Sequence, residues 1–297
     1  MIRIRTLAVL AAAAATLGLA TPARAGLLDS LLGSGGEPVE TASGSEWTLG
    51  GQPCRLIEVP AAGPFGVSSC PGVRPGSIVQ SDVGTCTMNF MFTDTRGDRY
   101  IGTAGHCVLA STPIGGGGNV GEFTYEPGQG PEARDAEGNR FGEFAYAVLE
   151  DPRDFALIRL DDGVEASPQV CTFGGPTGIN DSQPGLLEPT VLNSFGNPLG
   201  LGTGVTAKSF LALGMPNPDH LFATGLVLPG DSGGPVLDAA GQAVGVVVTT
   251  GLHLGDLTSL VEGLDVGLVG ISRIAPQIAQ AEDALDTTLE LVTAPRL

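Results

Sequence analysis

The chain has 297 residues, 42% hydrophobic and only 15% charged, which excludes a disordered polyelectrolyte and leaves room for one large or two small domains. Its 46 glycines and 22 prolines favour tight turns between short strands and exclude an all-helical bundle. With 14 basic against 32 acidic residues the net charge is -18, which repels a phosphate backbone and an anionic membrane surface, so no nucleic-acid partner is expected.

Residues 1–25 read as a secretory signal peptide: Arg3 and Arg5 make a basic start, 6–20 is an apolar run, and Ala23-Arg24-Ala25 is a cleavage sequence. The run falls short of the roughly 20 residues that span a bilayer. The expected product is a secreted, extracellular protein beginning at Gly26, with no membrane association after cleavage and a net charge of about -21. Export places Cys54, Cys70, Cys86, Cys107 and Cys171 in an oxidising compartment. Their spacing contains no C-x-x-C and no adjacent histidine pair, so two disulfides and no structural metal are expected.

Residues 26–77, rich in Gly, Pro and Ser, read as an extension or pro-segment. From Ser77 onward the texture changes to short β-branched and aromatic runs closed by Gly, Pro, Asp or Asn. The runs predict strands over 86–92, 100–103, 120–125, 143–149, 155–160, 205–213, 221–228, 243–250 and 268–271, with weaker ones near Ile78 and Val191, an all-β sandwich or barrel. The stretch 161–190 is dense in turn residues and reads as the link between two halves. Gly115 to Gly118 form a loop, because no strand–helix junction or lysine follows to make a phosphate cradle. Over 274–292 the apolar residues Ile274, Ile278, Ala281, Leu285 and Leu289 recur with the period of an amphipathic helix.

The strongest chemical signal is Gly230-Asp231-Ser232-Gly233-Gly234-Pro235, between two apolar strands. Glycines on both sides of a serine allow a tight turn that exposes the hydroxyl and aims main-chain N–H groups at one spot. A serine hydroxyl needs a base, and the chain has three histidines. His106, in Thr103-Ala104-Gly105-His106-Cys107, ends a strand beside a cysteine that can pin it; His220 and His253 lack a supporting motif and read as structural or surface residues. The base needs a carboxylate to fix its tautomer. Asp154 stands directly before an apolar strand, whereas Asp161 and Asp162, followed by Gly163, read as a solvated turn. Glu122, Glu126, Glu132 and Asp135 lack the residue order of a calcium loop.

These three blocks, in the order His, Asp, Ser, resemble the chymotrypsin-like (trypsin-fold) serine peptidases of the bacterial secreted branch. The resemblance runs from Ile78 to Ala279. It implies two six-stranded antiparallel β-barrels with the active site in the cleft between them and a C-terminal helix. The first barrel spans 78–170 and carries His106 and Asp154; the second spans 171–297 and carries Ser232. Ser232 would attack the scissile carbonyl, His106 would move the proton, Asp154 would orient His106, and the N–H groups of Gly230 and Ser232 would hold the oxyanion. Cys86 and Cys107 would form a disulfide. Cys171 would bond Cys54 or Cys70, the competing pairing being Cys54 with Cys70.

Two departures stand out. No activation site of the Ile-Val-Gly-Gly kind precedes the first strand, so Asp231 needs another cation, an arginine in bacterial relatives. By the same resemblance the residue six positions before the serine and a strand one loop after it line the substrate pocket; here they are Leu226 and Thr249-Thr250-Gly251, which implies an apolar pocket without an acid for Lys or Arg. The function expected is a monomeric serine endopeptidase acting on protein or peptide substrates after apolar or small residues, with no cofactor. The alternatives are a catalytically weak binding or adhesion protein on the same fold and an esterase using the same triad.

Overall fold

A computed structural model describes residues 70–110, 120–182, 190–202, 205–250 and 267–297, together with two short strands before them. The signal peptide, most of the extension, the glycine run near 115, Gly251 and His253 lie outside the described residues.

The two early strands, β1 (Trp47–Leu49) and β2 (Gln52–Cys54), pair antiparallel. The N-terminal half of the body contains β3 (Ile78–Gln80), β4 (Thr85–Thr87), β5 (Met91–Asp94), β6 (Arg99–Thr103), the single turn α1 (His106–Leu109), β7 (Gly121–Thr124), β8 (Glu132–Arg134), β9 (Arg140–Glu150) and β10 (Arg153–Leu160). The C-terminal half contains β11 (Val191–Phe195), a 3-10 turn at Pro198–Gly200, β12 (Ala207–Asn217), β13 (His220–Gly225), β14 (Pro235–Leu237), β15 (Ala243–Thr250), β16 (Gly267–Arg273), α2 (Ile274–Leu285) and β17 (Leu289–Leu291).

The protein has the trypsin-like two-barrel fold. The second barrel is closed by hydrogen bonds in the order β11-β12-β13-β16-β15-β14, with β14 returning to β11. The first is a nine-stranded sheet, β17-β5-β6-β10-β9-β8-β3-β4 with β7 added on β9. It is a half-barrel for an identifiable reason. The single strand expected at 86–92 bends at Met88–Phe90 and changes partner: Met88 N–H bonds back to Ser77 O, while Asn89 N–H donates to Gly102 O. Its first half therefore pairs with β3 and its second with β6. The cycle β3, β4/β5, β6, β10, β9, β8 is joined at this corner by the covalent chain.

The first core is built from strands buried on both faces, β6, β9 and β10 being almost continuously buried, whereas β12 and β13 of the second alternate between core and surface. In the first, Phe90, Phe92, Tyr100, Phe144, Tyr146 and Phe155 are fully buried, and Phe92 meets Phe155 edge-on with ring centroids 6.5 Å apart. In the second, Leu192, Phe210, Leu221, Val236, Val269 and Ile271 fill the barrel. Each such side chain contributes about 1.5–3 kcal/mol of burial.

Two sequence expectations are corrected. The helix expected over 274–292 stops at Leu285, where Asp286 turns left-handed (φ 48°) and Leu289 N–H is taken by Glu282 Oε1 at 2.7 Å. Beyond it Leu289 and Leu291 follow a period of two, and β17 adds to β5 in the N-terminal sheet. The body also begins before residue 78. Cys70 is bonded to Cys171, Val73 bridges Ala166, and Arg74 and Ser77 are buried. Among the described residues no helix is long and apolar enough to cross a membrane.

Candidate active site

Antiparallel register brings His106 and Asp154 together. In the β6/β10 pair Thr103 lies opposite Ala156. Three residues beyond Thr103 and two before Ala156 therefore fall at the same end of the ladder, where His106 opens α1 and Asp154 sits in β10. Between them Gly105 is obligatory, because a Cβ there would stand 1.9 Å from the Val148 carbonyl oxygen. The Asp154 carboxylate makes two contacts with the same residue: Oδ1 accepts the His106 backbone N–H at 2.9 Å and Oδ2 lies 2.7 Å from Nδ1. Both residues are buried. Burial pulls the imidazole pKa down, but the adjacent carboxylate pulls it up by more, so His106 is held above its ordinary value of 6.5. Asp161 is instead taken by Arg140 at the surface, and His220 rests against Phe222 with its Nδ1 3.4 Å from the Pro152 carbonyl oxygen.

The serine turn reaches the same junction from the second barrel. Ser232 is half-buried, and its carbonyl accepts the Thr87 N–H at 2.8 Å. The next residue, Gly233, has φ +84°, and a Cβ on it would lie 2.2 Å from Thr103 Oγ1 and 2.9 Å from Ala104 N. The turn is thus pressed against the segment that carries His106, as closely as a residue without a side chain allows.

The turn also presents free donors. The Pro229 carbonyl accepts Leu199 N–H at 2.6 Å. Since the Pro229–Gly230 peptide is trans, the Gly230 N–H points the opposite way. Among the described residues neither Gly230 N–H nor Ser232 N–H is spent on a backbone carbonyl.

Asp231 has a different counter-ion from the arginine expected. Its Oδ2 is paired with Lys208 Nζ, the side chains being 2% and 5% exposed, and also accepts Leu228 N–H at 2.7 Å. Burial works against both charges, pulling Lys208 down and pushing Asp231 up, with their mutual attraction opposing each shift. A lysine reaches one oxygen as a point charge where an arginine fork would span two, and Asp231 Oδ1 has no partner among the described residues. Sequence carried the signal: Lys208 is the only lysine in the chain, and it falls in phase with the buried Phe210 and Ala212 on the inward face of β12.

Of the residues expected to line a substrate pocket, Leu226, Thr249 and Thr250 lie at one rim of the second barrel. Leu226 follows directly on β13 and is 51% exposed. Across β16 the register runs Thr224, Leu268 and then, one step further, Val269 opposite Thr250 at the end of β15. Leu199 and Leu201, 63% and 67% exposed, flank the turn that supports Pro229.

The structure forms the Cys86–Cys107 and Cys70–Cys171 disulfides, of the pairings left open for Cys171 the one with Cys70. His106, Cys86 and Cys107 lie within 4.8 Å of one another, but both sulfurs are spent in the disulfide and cannot act as thiolate ligands.

This arrangement is that of a trypsin-like peptidase. Residues 84–246, a span that holds His106, Asp154 and Ser232, match the trypsin-like peptidase domain, and the chain belongs to that family. No curated protein matches it. Among solved structures it is similar to a glutamic acid specific serine protease that uses a histidine triad in substrate binding, at 16% identity over 73% of this chain and 100% of that one, TM-score 0.47. It is similar also to the Nocardiopsis protease NAPase (18%, 73% and 98%, TM-score 0.44) and to Rv3671c from M. tuberculosis (18%, 76% and 96%, TM-score 0.42).

Proposed function

We propose that this chain is an exported serine endopeptidase in which His106, Asp154 and Ser232 act as the triad. The observation that carries the reading is the double contact of Asp154 with His106, which fixes the ring by Nδ1 and leaves Nε2 as the proton acceptor. Ser232 Oγ forms a bond to the substrate carbonyl carbon as its proton passes to His106. The N–H groups of Gly230 and Ser232 receive the oxyanion, and His106 returns the proton to the leaving amine as the C–N bond breaks. Water then repeats the sequence in reverse on the acyl-enzyme. Export is supported by the two disulfides, which persist in oxidising compartments. Leu226 at the barrel rim, with no acid in the place that would hold Lys or Arg, supports cleavage after apolar or small residues.

The test is covalent labelling by a fluorophosphonate probe, with Ser232→Ala as control and a mixed peptide library alongside. Labelling that is lost in the variant, with cleavage after apolar or small residues, is the expected result. Labelling without peptide cleavage favours an esterase. A wild type that does not label overturns the catalytic reading and leaves a binding protein on this fold.

A further inference from the structure

We infer that Thr87 is a positioning residue for the oxyanion hole, holding the Gly230–Ser232 turn in its donor-out shape from the opposite barrel. The inference rests on the triad and oxyanion reading above. Thr87 ends β4 in the first sheet and is fully buried. A threonine hydroxyl has one hydrogen to give and two lone pairs to receive, and all three are used. Oγ1 donates to the Gly230 carbonyl at 2.7 Å and accepts Asn197 N–H at 3.1 Å and Asn197 Nδ2–H at 3.0 Å. Asn197, itself buried, is anchored in turn by its Nδ2 on Gly76 O at 2.9 Å.

The backbone of Thr87 completes the clamp. Its N–H holds the Ser232 carbonyl, and its carbonyl accepts Thr103 Oγ1 at 2.9 Å, three residues before His106. One residue therefore grips the carbonyls on both sides of Asp231 and the segment leading to the histidine. The Gly230 carbonyl is the one whose swing would carry the turn with it, since Gly230 has φ +99° and no side chain to resist rotation. The Thr87 hydroxyl ties that carbonyl back. Leu199 N–H ties back the preceding one, and between the two the Gly230 N–H is held open. Asn197 orients the hydroxyl: with its backbone N–H and one Nδ2–H aimed at Oγ1, the hydroxyl hydrogen has Gly230 O as its remaining direction.

This role predicts a defect in the transition state rather than in substrate binding. Thr87→Val preserves the shape and the methyl group that packs near Gly234 but removes the hydroxyl. We expect kcat to fall about ten- to a hundredfold with KM nearly unchanged, less than the roughly 10²–10³ lost with an oxyanion donor itself. Binding of a peptide aldehyde, which forms the tetrahedral adduct, should weaken by a similar factor while binding of the product peptide does not. Thr87→Ser, which restores the hydroxyl, should recover most of the activity. If Thr87→Val does not fold, Thr87→Ala carries the same comparison. Equal kcat in the valine and wild-type proteins, or a loss that serine does not rescue, overturns the inference. A wild type without Ser232-dependent turnover would instead refute the underlying catalytic reading.

Discussion

Lys208→Met removes the cation facing Asp231 while keeping an unbranched chain of similar reach. Both partners are almost sealed from solvent, and without Lys208 the carboxylate keeps a single donor, Leu228 N–H. Removing one member of a buried pair costs about 3–5 kcal/mol, mostly the penalty of the charge left behind. At about 2–4 °C per kcal/mol for a body of this size, Tm should fall by roughly 6–20 °C. The double variant Lys208→Met/Asp231→Asn removes both charges and should recover at least half of that loss. Thermal scanning and guanidinium denaturation measure it, and the fluorophosphonate labelling rate reports whether the serine turn has loosened. A single variant that melts within about 2 °C of wild type, or a double variant that melts below the single, would refute the buried-pair account of the turn.

Asp154→Asn should lower the rate of peptide cleavage by about 10³–10⁴ with little loss of stability, because the neutral amide no longer fixes the imidazole tautomer. The acid limb of kcat/KM should have its midpoint above 6.5, since the base must be neutral and His106 is raised. The same raised value means that the stability from the His106–Asp154 contact is complete below pH 6.5 and is lost as pH rises through the folded value; His106→Ala should flatten that part of the stability curve. Replacing Cys70 and Cys171 by alanine should cost about 5 kcal/mol and replacing Cys86 and Cys107 about 3, the closed loops being 101 and 21 residues, as denaturation midpoints will show. Asp286→Gly should stabilise by about 0.5–1 kcal/mol in the same assay, relieving a left-handed aspartate at a helix C-terminus.

Local motifs were legible in the sequence, and long-range partners much less so. The blocks around His106, Asp154 and Ser232 could be read because each is a run of backbone-constrained residues, and Gly105 and Gly233 show the constraint directly as contacts that no side chain could enter. The strands β8 and β14 went unread because three residues are too few for a period of two to show. Leu289 was assigned to a helix because its spacing from Leu285 suits a helical period as well as a strand; the stop lies in the φ of Asp286. The pattern marks Lys208 as an inward-facing lysine, but Lys208 and Thr87 are far from Asp231 and Gly230 in sequence, so which groups they meet appears only once the chain is folded.

The pairing of β17 with β5 has a kinetic meaning. The N-terminal sheet lacks its edge strand until residues 289–291, which follow the second barrel in sequence, come back to pair with residues 92–94. Contacts so distant in sequence slow folding, because the long loop must be closed before the pairing rewards it. The outer edge of the sheet that carries His106 and Asp154 is thus supplied by the segment that follows the second barrel and α2, so the two halves of the body are stitched together by backbone hydrogen bonds as well as by packing.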